Sequence, residues 1–138
     1  MTRLQARPPA AGLHAPRCAT NRCCVCGFDL RVGHVPAGLE AAHIQWHTAG
    51  GPDIEPNGLS LCALHHKLFD LGAFTLDPAS LKVLFSEHAL AGTRGMTGEL
   101  RHHGQDLLQP VDPGYLPAPG FLDWNWCNVF KREARRLA

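Results

Sequence analysis

Apolar positions along this chain come in short bursts separated by turn residues, which predicts many brief elements. Residues 28–32 read as a short strand, and residues 38–44 (GLEAAHI) as a second, entered through a Val35-Pro36-Ala37 turn. A loop over 48–56 holds Gly50-Gly51-Pro52, and Asn57-Gly58 then leads into a strand over 59–61. A compact helix fits 63–69, with Leu64 and Leu68 four residues apart as its buried stripe and Gly72 as its stop. Residues 73–76 and 81–85 alternate as two further strands joined by an Asp77-Pro78 turn. Residues 86–120 are loop-rich. From 123 onward a helix is expected, with Trp126, Phe130, Ala134 and Leu137 on one face and Arg132, Arg135 and Arg136 off it. The sum is an α+β chain.

Length and composition sharpen this picture. At 138 residues the chain is one domain, 22–138, preceded by a flexible arm over 1–21 that mixes Pro, Ala, Gly and Arg without periodicity. Fourteen glycines and eleven prolines leave little regular structure, so a domain of this size buries a thin core and calls for a staple. No apolar run is long enough for a membrane span. Arg3 and Arg7 are followed by Pro8-Pro9 where a signal peptide has its apolar stretch, so a cytoplasmic location is expected. In a reducing compartment the clustered Cys23, Cys24 and Cys26 suggest metal binding over disulfides. Net charge is only +1, but both ends are basic and the middle acidic, as a phosphate-gripping rim around a metal site would be.

Two ligand pairs share one internal spacing, Cys23-x2-Cys26 and Cys62-x2-His65. A two-residue gap lets both side chains of a pair reach one tetrahedral ion, and four Cys and His ligands make a closed structural zinc site. Cys24 could replace Cys23 only at a poorer spacing. Cys127 reads as a small core residue of the last helix, and Cys18 has no evident partner.

His43, Asn57 and His66 follow one another around these pairs. The stretch Leu39-Glu40-Ala41-Ala42-His43-Ile44, then Gly50-Gly51, Asn57-Gly58-Leu59-Ser60-Leu61-Cys62 and His65-His66-Lys67 resembles the HNH (ββα-metal) nuclease family over about residues 22–76. The wording of this stretch is most like the C-terminal HNH domain of phosphorothioate-dependent restriction endonucleases. The resemblance implies a ββα-metal core at about 38–70, with a structural zinc, additional short strands and a C-terminal helix.

It also implies hydrolysis of DNA phosphodiester bonds, in restriction of phosphorothioate-modified or foreign DNA. His43 would be the general base, Asn57 would pin the loop and orient His43 through hydrogen bonds, and His66 would ligate a catalytic Mg²⁺ or Mn²⁺, with Ni²⁺ or Co²⁺ as substitutes in vitro. On a helix, adjacent His65 and His66 point about 100° apart, so one can face zinc and the other the cleft.

Many relatives carry an Asp or His just before the base, where this chain has Ala42. Glu40, on the same strand face as Ala42, and Asp70, four residues after His66, are the substitute ligand candidates. Lys67, His47, Lys131, Arg132 and Arg135 are candidate DNA contacts. DNA is the expected partner, with a modification-sensing domain or protein and a homodimer as further candidates and no membrane. The competing readings are an inactive or weak zinc-stapled DNA-binding module working with a partner, and a toxin or structure-specific nuclease acting on RNA or branched DNA.

Overall fold

The computed structural model describes residues 22–92, 98–108 and 113–136. The expected arm over 1–21, Cys18 and Leu137 lie outside the described residues. No described helix is long and apolar enough to cross a membrane. Among the described residues the architecture is a small α+β one, with short antiparallel strands and two α-helices of eight and ten residues.

Strands β1 (Arg31–Val32) and β2 (Val35–Pro36) pair across a tight turn in which Gly33 takes φ +63°. The expected strand over 28–32 is thus cut to its last two residues, and the expected Val35-Pro36 turn is itself a strand. Pro36 fits because it sits on an edge, where its missing N–H breaks no ladder. Strands β3 (Leu39–His43) and β4 (Gly58–Cys62) form an antiparallel pair in which Leu39 faces Cys62 and His43 faces Gly58. Every residue of β4 is buried, as is the His43 end of β3. This register sends Cys62 to one end of the ladder and His43 to the other.

Helix α1 (Ala63–Asp70) starts directly from β4, and the Cys62 Sγ accepts from the His65 N–H at its first turn. Its inward face carries His65, His66, Phe69 and Asp70. The expected Leu64–Leu68 stripe is corrected here: Leu64 is 50% exposed and Leu68 only partly buried. Periodicity assumes that the buried stripe is apolar, whereas this helix turns its ionisable side chains inward. Gly72 closes the helix with φ +79°, and a Cβ there would lie 2.2 Å from the Val129 carbonyl oxygen.

Strands β5 (Phe74–Leu76) and β6 (Val83–Phe85) pair antiparallel across a turn in which the Asp77 carboxylate accepts from the Ser80 and Ala79 backbone N–H groups. Those bonds, chiefly from Ser80, hold the Asp77 carboxyl below its ordinary range. Phe69, Phe74 and Phe85 stack in series at 5.3 and 5.4 Å between ring centroids, joining α1 to the β5–β6 pair.

Helix α2 (Pro119–Asn128) differs from the expected last helix at both ends. It begins earlier, at a proline suited to a first turn, and ends at Asn128. Beyond it the chain is drawn off by backbone bonds to other elements: Lys131 N–H to the Gly72 carbonyl and Arg135 N–H to that of Phe85. Ala134 bridges Ser86. Lys131, Arg132 and Arg135 therefore sit on an irregular segment beside β6, not on a helix. Cys127 is exposed, which corrects its expected core place. The buried α2 residues are Leu122 and Asn125.

Candidate functional site

The first constellation lies where β4 becomes α1. Cys23, Cys26, Cys62 and His65 bring one ligand atom each to within 4.8 Å of one another. Cys26 Sγ and Cys62 Sγ are 3.9 Å apart, and the His65 Nδ1 stands 3.7 Å from Cys23 Sγ and 3.2 Å from Cys62 Sγ. A tetrahedral zinc with ordinary bond lengths spaces two thiolates about 3.8 Å apart and a thiolate and imidazole about 3.6 Å apart. The donor set fits that ion. Its electrostatics point the same way: hydrogen bonds from Cys26 and Cys62 push the Cys23 thiol far down, while Cys23 and Cys62 push Cys26 far up. Burial opposes charge on His65, but the bonds to Cys23 and Cys62 outweigh it and raise the imidazole to about 10. Crowded sulfurs that cannot all ionise together are what a dication relieves.

Cys24 is buried beside this cluster but not in it, with its N–H on the Ser60 carbonyl. A residue outside the sequence expectation completes the arrangement. Glu99, from a 3-10 turn over Glu99–His102, places Oε1 2.6 Å from the outer His65 nitrogen, Nε2. Ligand histidines commonly donate that nitrogen's proton to a carboxylate, which fixes ring orientation.

The second constellation is at the other end of the β3–β4 ladder. His43, fully buried, ends β3 with Nε2 2.6 Å from Asp53 Oδ1, and its Nδ1 has no hydrogen-bond partner. Asp53 belongs to the loop between the strands, and no spacing in the sequence singles it out. Asn57, also fully buried, closes that loop: its Oδ1 accepts from Gln45 N–H at 2.8 Å, and its Nδ2 donates to the Gln45 and Pro52 carbonyls at 3.0 Å each. The Ile44 N–H adds a bond to the Asn57 carbonyl. Asn57 thus fixes the two residues after His43, with no bond to the imidazole itself. The glycine at 51 is required by the same closure, since a Cβ there would stand 1.8 Å from the Gln45 carbonyl oxygen. From α2, buried Asn125 donates to the Ile44 carbonyl and accepts from the Thr75 hydroxyl, tying the His43 end of β3 to β5.

The third set surrounds His66 on α1. Its Nδ1 is 2.6 Å from Glu40 Oε1, a hydrogen bond, while Asp70 Oδ2 stands 3.6 Å from Nε2. Two ligands about 2.1 Å from one ion stand about 3.0–3.4 Å apart, so the His66–Asp70 gap is close to ligand spacing and the Glu40 contact is not. The two carboxylates address opposite ring nitrogens. Among the described residues, three groups converge within 4.8 Å: the cysteine cluster, His43 with His47 and Asp53, and His65 with Glu99 and His102. Glu40, His66 and Asp70 do not form such a group.

Of the candidate DNA contacts, Lys67 is exposed on α1 next to His66, and His47 is exposed in a 3-10 turn over His47–Ala49. Lys131 and Arg132 are exposed, whereas the Arg135 guanidinium donates to the Ala89 carbonyl at 2.7 Å.

Comparison with known proteins agrees with this arrangement. Residues 23–77 match the family model described as HNH endonuclease. Among solved structures, a modification-dependent TagI restriction endonuclease is similar at TM-score 0.62 and 24% identity, a likeness that shows the fold. The alignment covers 89% of this chain and 38% of that one, so this chain spans well under half of that enzyme's length. No curated protein matches. The family match takes in both cysteine-containing pairs, β3, β4 and α1, so residues 23–77 are similar to an HNH endonuclease domain.

Proposed function

We propose that this chain is a DNA endonuclease in which His43 activates water, His66 and Asp70 hold a divalent cation, and a zinc held by Cys23, Cys26, Cys62 and His65 fixes the frame. The observation that carries the reading is His43. It is a fully buried imidazole at a strand end, with a carboxylate on one nitrogen and the other unpartnered, in a loop locked by Asn57. A carboxylate on Nε2 holds that nitrogen's proton, which leaves Nδ1 as the lone pair that takes a proton from water. The chain's own residues thus supply the base and its orientation. A bound Mg²⁺ or Mn²⁺ at His66 would neutralise charge on the phosphate and leaving oxygen. Glu40, hydrogen-bonded to His66 Nδ1, sets the ring so that Nε2 faces Asp70.

The substrate is DNA carrying a modification, phosphorothioate being the candidate suggested by the wording around His43 and Asn57. A separate modification-sensing domain or protein would select it, consistent with a chain that spans 38% of its structural neighbour. Lys67, Lys131 and Arg132 are exposed and suited to phosphate contact. His47 would join them. Arg135 is assigned to holding the 89–135 contact instead.

The test is plasmid nicking with Mg²⁺ or Mn²⁺, on plain and phosphorothioated DNA, for the wild type and His43→Ala. Nicking by the wild type that is lost on substitution supports the assignment; nicking that survives removes His43 as base. Ala42, which offers no ligand atom before the base, favours a second reading, a zinc-stapled DNA-binding module of weak or no activity. Binding of DNA without metal-dependent nicking would establish that one.

A further inference from the structure

His43, His47 and Asp53 converge at the β3–β4 loop, in a group that shares no residue with the cysteine cluster or with the His66–Asp70 pair. Asp53 Oδ1 lies 2.6 Å from His43 Nε2 and 3.9 Å from His47 Nδ1, and the three ligand atoms are all within 4.8 Å of one another. The rings of the two histidines are 6.0 Å apart between centroids. We propose that these three side chains form a separate transition-metal site, selective for Zn²⁺, Ni²⁺ or Co²⁺ over Mg²⁺, whose occupation switches off the base. The site is additional to the two metal positions of the nuclease reading, and its inhibitory consequence rests on His43 being the base.

The chemistry follows from the donor set. Two imidazoles and one carboxylate are ligands for late first-row dications, while Mg²⁺ favours carboxylate, phosphate and water oxygens and gains little from a second imidazole. Ligands about 2.0–2.2 Å from one ion stand about 2.9–3.5 Å apart, so His43 and Asp53 must open and His47 and Asp53 close by a few tenths of an ångström each. The elements permit this. His47 is 56% exposed and belongs to a short turn, and Asp53 is 22% exposed in the loop, while His43 is fixed and 0% exposed. An ion enters from the His47 side and leaves further coordination positions to water. Bound at Nε2, it takes that nitrogen's lone pair in place of the hydrogen bond to Asp53, and the one proton of the neutral ring then sits on Nδ1. Nδ1 is left with no lone pair to take a proton from water, and metal-dependent hydrolysis slows.

Calorimetric titration of the zinc-loaded chain with Ni²⁺, without DNA, tests the site independently of any nuclease activity. The wild type is expected to bind Ni²⁺ at a site weakened at least about tenfold by His47→Ala and by Asp53→Asn and kept in His66→Ala. Circular dichroism confirms that each variant is folded. Ni²⁺ binding by His47→Ala and Asp53→Asn with wild-type stoichiometry and affinity overturns the proposal, as does loss of all binding in His66→Ala alone. In nicking with Mg²⁺, added Ni²⁺ should slow the wild type more than His47→Ala, each compared with its own rate before Ni²⁺. Equal inhibition of both rejects the switch, while the metal site stands or falls on the calorimetric titration. A chain that binds Ni²⁺ as expected yet never nicks keeps the site and rejects the nuclease reading.

Discussion

Asn57 offers the most demanding test of how the loop serves His43. Its side chain is 0% exposed and makes three hydrogen bonds, to Gln45 N–H, the Gln45 carbonyl and the Pro52 carbonyl. Asn57→Ala removes all three and strands one donor and two acceptors around the space it leaves. Each such bond contributes a net of about 0.5–1.5 kcal/mol, and each buried group left unsatisfied costs about 1–3 kcal/mol. Water reaching the partly exposed Gln45 limits the loss, so about 2–4 kcal/mol is expected, a large share of the roughly 5–15 kcal/mol that holds a small domain. Asn57→Asp keeps the acceptor for Gln45 N–H but turns an unprotonated oxygen toward two carbonyls, so it should be no better than alanine at neutral pH and should partly recover in acid. Urea denaturation of the zinc-loaded protein gives the stability, and nicking at a temperature where each variant is folded gives the rate. Asn57→Ala with an unfolding free energy within about 0.5 kcal/mol of the wild type would refute the hydrogen-bond accounting. A stability loss as expected with an unchanged rate would separate loop closure from the placement of His43.

The proposed zinc site and its surroundings make further predictions. Chelation of the structural ion should unfold the 22–76 region, read as loss of circular dichroism, and Cys26→Ser should do the same at lower chelator concentrations. Glu99→Gln should speed zinc transfer to a chromogenic chelator, with an affinity loss of about 10–100-fold, because the His65 ring loses its charged partner; an unchanged rate would reduce Glu99 to a surface contact. Gly72→Ala should destabilise by about 1–3 kcal/mol or more in thermal melts, since φ is +79° and the new Cβ meets the Val129 carbonyl oxygen at 2.2 Å. In salt-dependent DNA binding, Lys67→Ala should lower the slope of log K against log salt by about one, whereas Arg135→Ala should lower stability and leave that slope alone.

The β3–β4–α1 core and the clustering of Cys23, Cys26, Cys62 and His65 are legible in the sequence because both signals are local. Alternation over five residues marks a strand, and two ligands three residues apart on one turn must point at one place whatever the rest of the chain does. The same local rule fails on α1, where it places an apolar stripe at Leu64 and Leu68. The helix instead faces inward with His65, His66 and Asp70, and the first two find their partners on other elements. The last helix departs from expectation for a related reason. Its amphipathic pattern continues past Asn128, but backbone groups of Gly72 and Phe85 take up the N–H groups of Lys131 and Arg135, and the chain leaves the helix.

Residue types and spacings by themselves determined which side chains could bind metal and which strands could carry them. Tertiary structure alone decided the partners of those side chains. Asp53 reaches His43 across ten residues, Glu99 reaches His65 across 34, and Asn125 reaches Ile44 across 81. Such contacts depend on how loops close and helices dock, and no periodicity of 2 or 3.6 residues encodes a meeting between positions so far apart. The chemistry of an imidazole is written in the chain, but its orientation, and so the nitrogen left to act, is set by the fold around it.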